Sequence, residues 1–90
     1  MASAHFLIRG LVQGVGFRWF VRVAARRLQL AGWVMNRSDG TVEIAAGGPQ
    51  EKLEELRRQV SCGPDGAVVE GVSDLEPLSD ELEFPFAMRK

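Results

Sequence analysis

The segment from Gly10 to Arg18 combines glycines, backbone amides and an arginine, which together suit the binding of an anion. Apolar residues before it predict a strand, and a helical pattern begins at Phe17, so the segment joins a strand to a helix N-terminus. Free N–H groups and the positive end of the helix dipole favour phosphate at such a position. Gly14 and Gly16 allow successive N–H groups to turn inward, and Arg18 adds a guanidinium fork that matches phosphate oxygens.

The same residues also fit a plain tight turn between a strand and a helix, and their spacing leaves both interpretations open. The Gly-Lys-Ser/Thr of a P-loop is absent, and Trp19 stands where the dinucleotide-binding fingerprint has its third glycine. Asn36 presents a similar choice, because an asparagine shortly before Asp39-Gly40 is typical of a turn.

Composition narrows the chemistry that this loop can use. The chain has 90 residues, of which 46% are hydrophobic and 26% charged, which predicts one globular domain over residues 1–90. With 11 basic and 12 acidic residues the formal charge is −1, so we expect neither nucleic acid nor a membrane as a partner. Nothing in the sequence demands a dimer, and we expect a monomer.

His5 and Cys62 are the single histidine and the single cysteine of the sequence. An internal disulfide, a zinc cluster and a Cys–His pair are therefore not expected, and we predict no metal and no cofactor. Catalysis would then depend on arginine, amides, carboxylates or the substrate itself. No apolar run reaches membrane-span length and no signal-peptide pattern is found, so we expect a cytoplasmic protein.

The elements that would position the loop can be predicted from periodicity and turn signals. An apolar stripe at helical spacing predicts the first helix; it consists of Phe17, Phe20, Val21, Ala24, Ala25 and Leu28. Asp39-Gly40 predicts a hairpin between two strands, and Gly48-Pro49 predicts the start of a second helix, with proline at its first position. The predicted strands cover 4–12, 33–36, 41–46, 67–75 and a last one near 84–89, which Pro85 places at a sheet edge.

This order predicts an α+β fold of the ferredoxin-like type. The βαββαβ sandwich would have an antiparallel sheet with two helices on one face, and a short extra strand would follow at the end.

Two motifs in this sequence resemble those of the acylphosphatase family. The segment Gly10–Arg18 resembles the first family signature at every position. The segment Gly32–Asn36, followed by Gly40, Val42 and Gly48, resembles the second with its spacing intact. The resemblance extends over essentially the whole chain.

Membership would imply the ferredoxin-like fold and hydrolysis of the carboxyl–phosphate bond of acyl phosphates without a metal. The essential arginine of the family falls on Arg18 and its essential asparagine on Asn36. Since an amide cannot act as a base at neutral pH, our hypothesis is that Asn36 positions the attacking water. The phosphate-binding loop corresponds to Gln13, Gly14, Val15, Gly16, Phe17 and Arg18. The implied ligands are small acyl phosphates and inorganic phosphate.

The sequence departs from common family members at two places. Many members have a glycine near the end of the first helix, where Gln29 stands here, so we expect strain at Gln29 or Leu30. The stretch Leu75–Glu83 is acidic, and we expect it to be irregular.

Several side chains near the motifs have more ordinary interpretations. We expect Trp19 and Trp33 to pack in the core or on the sheet, although Trp19 follows Arg18 and could line the pocket for an acyl group. Arg37 is the best candidate to steer an anionic substrate. Cys62 is expected to be a partly exposed loop thiol without a special role.

Two alternative functions remain open. The first is a binding or regulatory domain without turnover, since the fold also occurs within larger carbamoyl-transferring enzymes. The presence of both Arg18 and Asn36 favours catalysis instead. The second is an RNA-binding module of the same architecture, which would need exposed aromatic residues on its central strands. The first strand carries His5, Leu7 and Arg9 there, so we consider this function less favoured.

Overall fold

Five strands and two helices make up the residues that the computed structural model describes, namely 2–78 and 82–90. In chain order they are β1 (Ala2–Leu11), α1 (Phe17–Arg27), β2 (Ala31–Asn36), β3 (Val42–Gly48), α2 (Gln50–Cys62), β4 (Val68–Asp74) and β5 (Ala87–Arg89). Among these residues, neither helix is long and apolar enough to cross a membrane.

The strands form one sheet in the order β4-β1-β3-β2-β5. The four strands of the βαββαβ unit pair antiparallel, whereas β5 pairs parallel with β2 at the edge of the sheet. The predicted ferredoxin-like fold is therefore confirmed, together with the short extra strand at an edge. That last strand makes the five-stranded sheet mixed rather than wholly antiparallel.

The core lies between one face of the sheet and the two helices. Alternate residues of β1, Phe6 and Ile8, point into it and are at most 1% exposed. The helices contribute the apolar stripes that the sequence predicts, and their buried members are Phe17, Val21, Ala24, Ala25, Leu53, Leu56 and Val60. Phe86, just before β5, is completely buried and fixes the last strand to this core.

A left-handed residue that is not glycine follows the C-terminus of α1. Gln29 has φ 56°, and it is the one non-glycine with positive φ in the part of the chain that the structure describes. The N–H of Leu30 donates to the carbonyl of Ala25 at 3.0 Å, and that of Gln29 to Arg26 at 3.1 Å. These two bonds are those of a Schellman motif, in which glycine normally takes the left-handed position. The positive φ places the predicted strain at Gln29 rather than Leu30, and the strain itself stays a prediction.

Some predicted boundaries differ from the structure. Pro49 precedes α2 as its N-cap instead of occupying the first helical position. Cys62 is the exposed last residue of α2 rather than part of a loop, because the helix continues through it. The stretch predicted to be irregular has no helix or strand over 75–78 and 82–83, while Ser79, Asp80 and Glu81 lie outside the described residues.

Candidate active site

The loop between β1 and α1 approaches α1 through two left-handed glycines. Gly14 has φ 76°, and Gly16, the N-cap of α1, has φ 75° and ψ 21°. A Cβ atom at either position would meet no neighbouring atom within 4 Å, so the backbone conformation rather than lack of space requires glycine. The glycines thus set the path that brings the loop amides to the start of the helix.

The N-terminus of α1 offers its backbone N–H groups to a ligand. Gly16 has no side chain to cap the helix, and the first turn contains no acidic residue. The first intrahelical bond runs from the N–H of Phe20 to the carbonyl of Gly16 at 3.0 Å. In the described residues, none of the N–H groups of residues 13–19 has a hydrogen-bond acceptor. This end of the helix is therefore a positive site for an anion.

Arg18 lies in the first turn of α1 and is half-buried. Its Nη1 donates to the backbone carbonyl of Arg89 at 2.7 Å, a contact across 71 residues of sequence. Within residues 2–78 and 82–90 the guanidinium forms no ion pair with a carboxylate. Its remaining N–H groups and its charge are therefore available to an anionic ligand.

Asn36 is the last residue of β2, immediately before the hairpin turn. Its Oδ1 is buried, and it is the one buried side-chain polar atom without a hydrogen-bond partner in the described part of the chain. Because Asn36 also lines a pocket, this oxygen can accept a hydrogen bond from a water or ligand there.

A pocket of roughly 220 Å³ brings the predicted residues together. Its lining consists of Val12, Gly14, Gly16, Phe17, Arg18, Trp19, Asn36 and Met88. The side chains of Arg18 and Asn36, predicted from two separate motifs, thus share one cavity with the loop glycines. Gln13 and Val15 do not line it; Val15 contributes to a neighbouring groove between the helices.

The side chain of Gln13 connects the loop to the β2–β3 hairpin. Its Nε2 donates to the carbonyl of Arg37 at 2.8 Å and to that of Thr41 at 2.9 Å. These carbonyls flank the turn that follows Asn36, so one amide group joins the loop between β1 and α1 to the hairpin. Only the backbone of Gln13 is predicted from the sequence to contribute to the site. Its side-chain contact could not be predicted, because a contact between distant segments leaves no local sequence pattern.

The hairpin turn is stabilised by Asp39. Its Oδ1 accepts hydrogen bonds from the hydroxyl of Thr41 at 2.6 Å and from the backbone N–H of Thr41 at 3.1 Å. Both bonds lower the pKa of Asp39 below its usual value, and the bond from the hydroxyl has the larger effect. The charge of Arg37 also lowers this pKa.

Arg37 is exposed and lies close to two carboxylates. Its Nε is 3.9 Å from Asp39, and its Nη1 is 3.9 Å from Glu43. These acidic neighbours offset its charge, which weakens the hypothesis that Arg37 steers an anionic substrate. Arg37 is also absent from the lining of the pocket.

The two tryptophans differ in their surroundings. Trp33 is only 7% exposed, with the His5 ring edge-on at 6.2 Å and the guanidinium of Arg89 at 4.7 Å from its ring, so its predicted packing is confirmed. Trp19 is 57% exposed, so its expected packing in the core or on the sheet is wrong, and it lines the pocket, which was its other expected position. An RNA-binding face would need exposed aromatic rings on the strands, and Trp33 on β2 is covered.

Metal ligands do not converge in the part of the chain that the structure describes, since no group of three His, Cys, Asp or Glu side chains lies close enough to hold an ion.

Comparison with known proteins places the chain, rather than any single residue of the pocket, in a family. The family model described as Acylphosphatase matches residues 4–85. An acylphosphatase from Koribacter versatilis is 54% identical over 82 residues, which cover 91% of this chain and 74% of that protein.

Solved structures agree with the family match. The crystal structure of acylphosphatase from Bacillus subtilis superposes with a TM-score of 0.93 at 40% identity, and each chain is covered completely. HypF from T. kodakarensis contains a similar region, with a TM-score of 0.84 and 29% identity, which covers all of this chain and 12% of that one. Since the family model and these relatives match nearly the whole sequence, the chain belongs to the acylphosphatase family.

Proposed function

We propose that residues 1–90 act as one domain that hydrolyses the carboxyl–phosphate bond of small acyl phosphates, releasing a carboxylate and inorganic phosphate. The proposal rests on one observation: Arg18, Asn36 and an uncapped helix N-terminus line the same small pocket.

The phosphate group would bind where α1 begins. The backbone N–H groups of the loop point to this role because they lack protein acceptors; the loop residues are Gln13, Gly14, Val15, Gly16, Phe17 and Arg18. The guanidinium of Arg18 adds charge-assisted hydrogen bonds, and the carbonyl of Arg89 holds it in place. Phosphoryl transfer passes through a loose transition state with charge on the equatorial oxygens, so preorganised donors can lower the barrier directly.

The leaving group needs no help from a general acid. An acyl phosphate is a mixed anhydride, and the carboxylate that it expels belongs to an acid with a pKa of about 4. The chain therefore does not need a histidine or a bound metal at this position, because the amides and Arg18 provide the positive potential. We accordingly propose a reaction without metal or cofactor.

Asn36 would position the attacking water. Its Oδ1 has no protein partner and can accept a hydrogen bond from that water, which leaves an oxygen lone pair directed at phosphorus. The water oxygen then bonds to phosphorus as the bond to the acyl oxygen breaks, and the electron pair leaves with the carboxylate. The proton of the water passes to a phosphate oxygen, because the amide of Asn36 cannot serve as a base at neutral pH.

The test is the initial rate of benzoyl phosphate hydrolysis by the purified chain in excess chelator, with inhibition by inorganic phosphate as a measure of phosphate affinity. Arg18→Ala is expected to lose both turnover and phosphate affinity. Asn36→Ala is expected to lose turnover while the inhibition constant of phosphate stays close to that of the wild type. Arg58→Ala and Ser38→Ala change exposed residues outside the pocket and are the matched controls.

Three results would contradict parts of this proposal. Loss of wild-type activity in chelator would contradict the metal-free reaction. Equal loss of phosphate affinity in the Arg18 and Asn36 variants would contradict the water-positioning role of Asn36. Absence of turnover from a folded wild-type protein would contradict hydrolysis itself.

A binding or regulatory domain is the second candidate, because a region similar to this chain makes up 12% of a HypF chain and so occurs within a larger protein. It predicts phosphate affinity without turnover. The expectations of a monomer, of a cytoplasmic location and of no nucleic-acid or membrane partner stay predictions.

A further inference from the structure

Two exposed apolar side chains lie at the pocket that contains Arg18 and Asn36. Trp19 is 57% exposed and Met88 is 42% exposed, and both line this pocket. The other large hydrophobic residues exposed in the described part of the chain do not line it; they are Leu11, Val68 and Phe84. An apolar rim beside a polar anion site fits a ligand with one charged end and one apolar end.

Trp19 is held in place although it is exposed. It follows Arg18 in the first turn of α1, and the guanidinium of Arg22, one turn further, lies 4.7 Å from the centre of its ring. This cation–π contact covers one side of the indole and restrains its orientation. A restrained ring can contact a ligand without losing much conformational entropy.

Met88 reaches the pocket from the opposite end of the sequence. It pairs with Val34 in the parallel register of β5 and β2, and the next residue, Arg89, accepts the hydrogen bond from Arg18. The backbone segment that anchors the guanidinium therefore also positions Met88. Methionine adapts its shape to neighbouring groups and makes favourable contacts with aromatic rings.

We infer that Trp19 and Met88 form an apolar subsite for the acyl group, which makes the chain favour acyl phosphates with a flat or bulky apolar acyl group over acetyl phosphate. The inference rests on the proposed function, because the phosphate must occupy the loop for the acyl group to meet these side chains. Trp19 approaches the pocket from α1 and Asn36 from β2, so the apolar contact and the water-positioning group come from different elements.

The experiment compares kcat/KM for benzoyl phosphate and acetyl phosphate in matched variants. Trp19→Ala is expected to lower the benzoyl value about fivefold to tenfold, in keeping with the loss of one aromatic contact, and the acetyl value by less than about twofold. Trp19→Phe is expected to restore most of the preference. Met88→Ala is expected to lower the benzoyl value by a smaller factor, and Met88→Leu to retain it.

Inhibition by inorganic phosphate separates contact with the acyl group from damage to the loop. It should remain unchanged in all four variants and in Val68→Ala, a control at an exposed apolar residue outside the pocket. An equal fall for both substrates in Trp19→Ala, or no fall at all, would overturn the subsite while leaving the hydrolase intact. Absence of turnover in the wild type would overturn the proposed function and the subsite with it.

Discussion

Asn36 brings to the pocket a side-chain oxygen that the described part of the protein does not pair. Its buried Oδ1 lacks a partner, and no hydrogen bond of its side chain is found within residues 2–78 and 82–90. Arg18 contrasts with it, since the carbonyl of Arg89 satisfies part of the guanidinium before any ligand arrives. At the scale of single residues, the two side chains therefore differ. The guanidinium of Arg18 has a hydrogen-bond partner in the protein, whereas Oδ1 of Asn36 has none among the described residues.

This difference predicts the stability of a single variant. Asn36→Ala removes an unsatisfied acceptor and no hydrogen bond, so we expect its free energy of unfolding to stay within about 0.5 kcal/mol of the wild type, or to rise. Urea unfolding at neutral pH measures this. A fall of more than about 1 kcal/mol in the free energy of unfolding would mean that the amide makes a stabilising interaction and is not unpaired.

At the scale of elements, the site depends on how α1 and the β2–β3 hairpin are joined to the loop. The helix must begin at a left-handed glycine to direct its amides, and the left-handed Gln29 follows its C-cap. The hairpin must hold Asn36 beside the loop, and the side chain of Gln13 bridges the two.

Gln13→Ala tests this bridge. The loop amides remain, but the hairpin loses two hydrogen bonds to the loop, so we expect kcat to fall about tenfold because Asn36 is misplaced. The inhibition constant of inorganic phosphate should stay nearly unchanged, which separates a positioning role from a phosphate-binding one. Gln59→Ala, which removes a glutamine from α2 outside the pocket, is the control. An unchanged kcat would show that the bridge does not position Asn36.

Gln29→Gly tests the end of α1. Glycine adopts φ 56° without the steric cost that a side chain brings, although it loses more entropy on folding. We expect the free energy of unfolding to rise by about 0.5–1 kcal/mol, with activity unchanged. A thermal unfolding midpoint equal to or below that of the wild type would contradict the presence of strain.

At the scale of the whole molecule, the last strand joins the core to the site. Phe86 is completely buried, its carbonyl accepts a hydrogen bond from Nε of Arg26 at 2.9 Å, and β5 then carries Met88 and the carbonyl that anchors Arg18. The pocket is therefore complete only when the C-terminal segment is docked.

Phe86→Ala should show this dependence. Removing the ring from the core is expected to cost about 3–5 kcal/mol of the free energy of unfolding, measured in urea. In the fraction that remains folded, phosphate affinity should fall as well, because the anchor of Arg18 is loosened. Trp19→Ala removes an exposed aromatic residue and should cost much less. Equal costs for the two variants would contradict the docking role of Phe86.

The fold and much of the candidate site could be predicted from the sequence because their signals are local. The spacing of apolar residues predicts α1, Asp39-Gly40 predicts the hairpin, and the order of elements leaves one common topology. The two motifs pointed to Arg18 and Asn36, and the pocket contains both.

The tertiary structure alone decided what surrounds those residues. Gln13 meets the hairpin, Arg89 anchors Arg18, and Trp19 stays exposed at the pocket instead of entering the core. Such contacts depend on how distant segments pack: 71 residues separate Arg18 from its anchor. The need for glycine at position 32 likewise depends on a neighbouring strand, because a Cβ atom there would lie 1.9 Å from the carbonyl oxygen of Ala45. Periodicity and turn chemistry act over a few residues, so the sequence by itself determined the elements and their order, whereas packing across the sheet determined the contacts that complete the site.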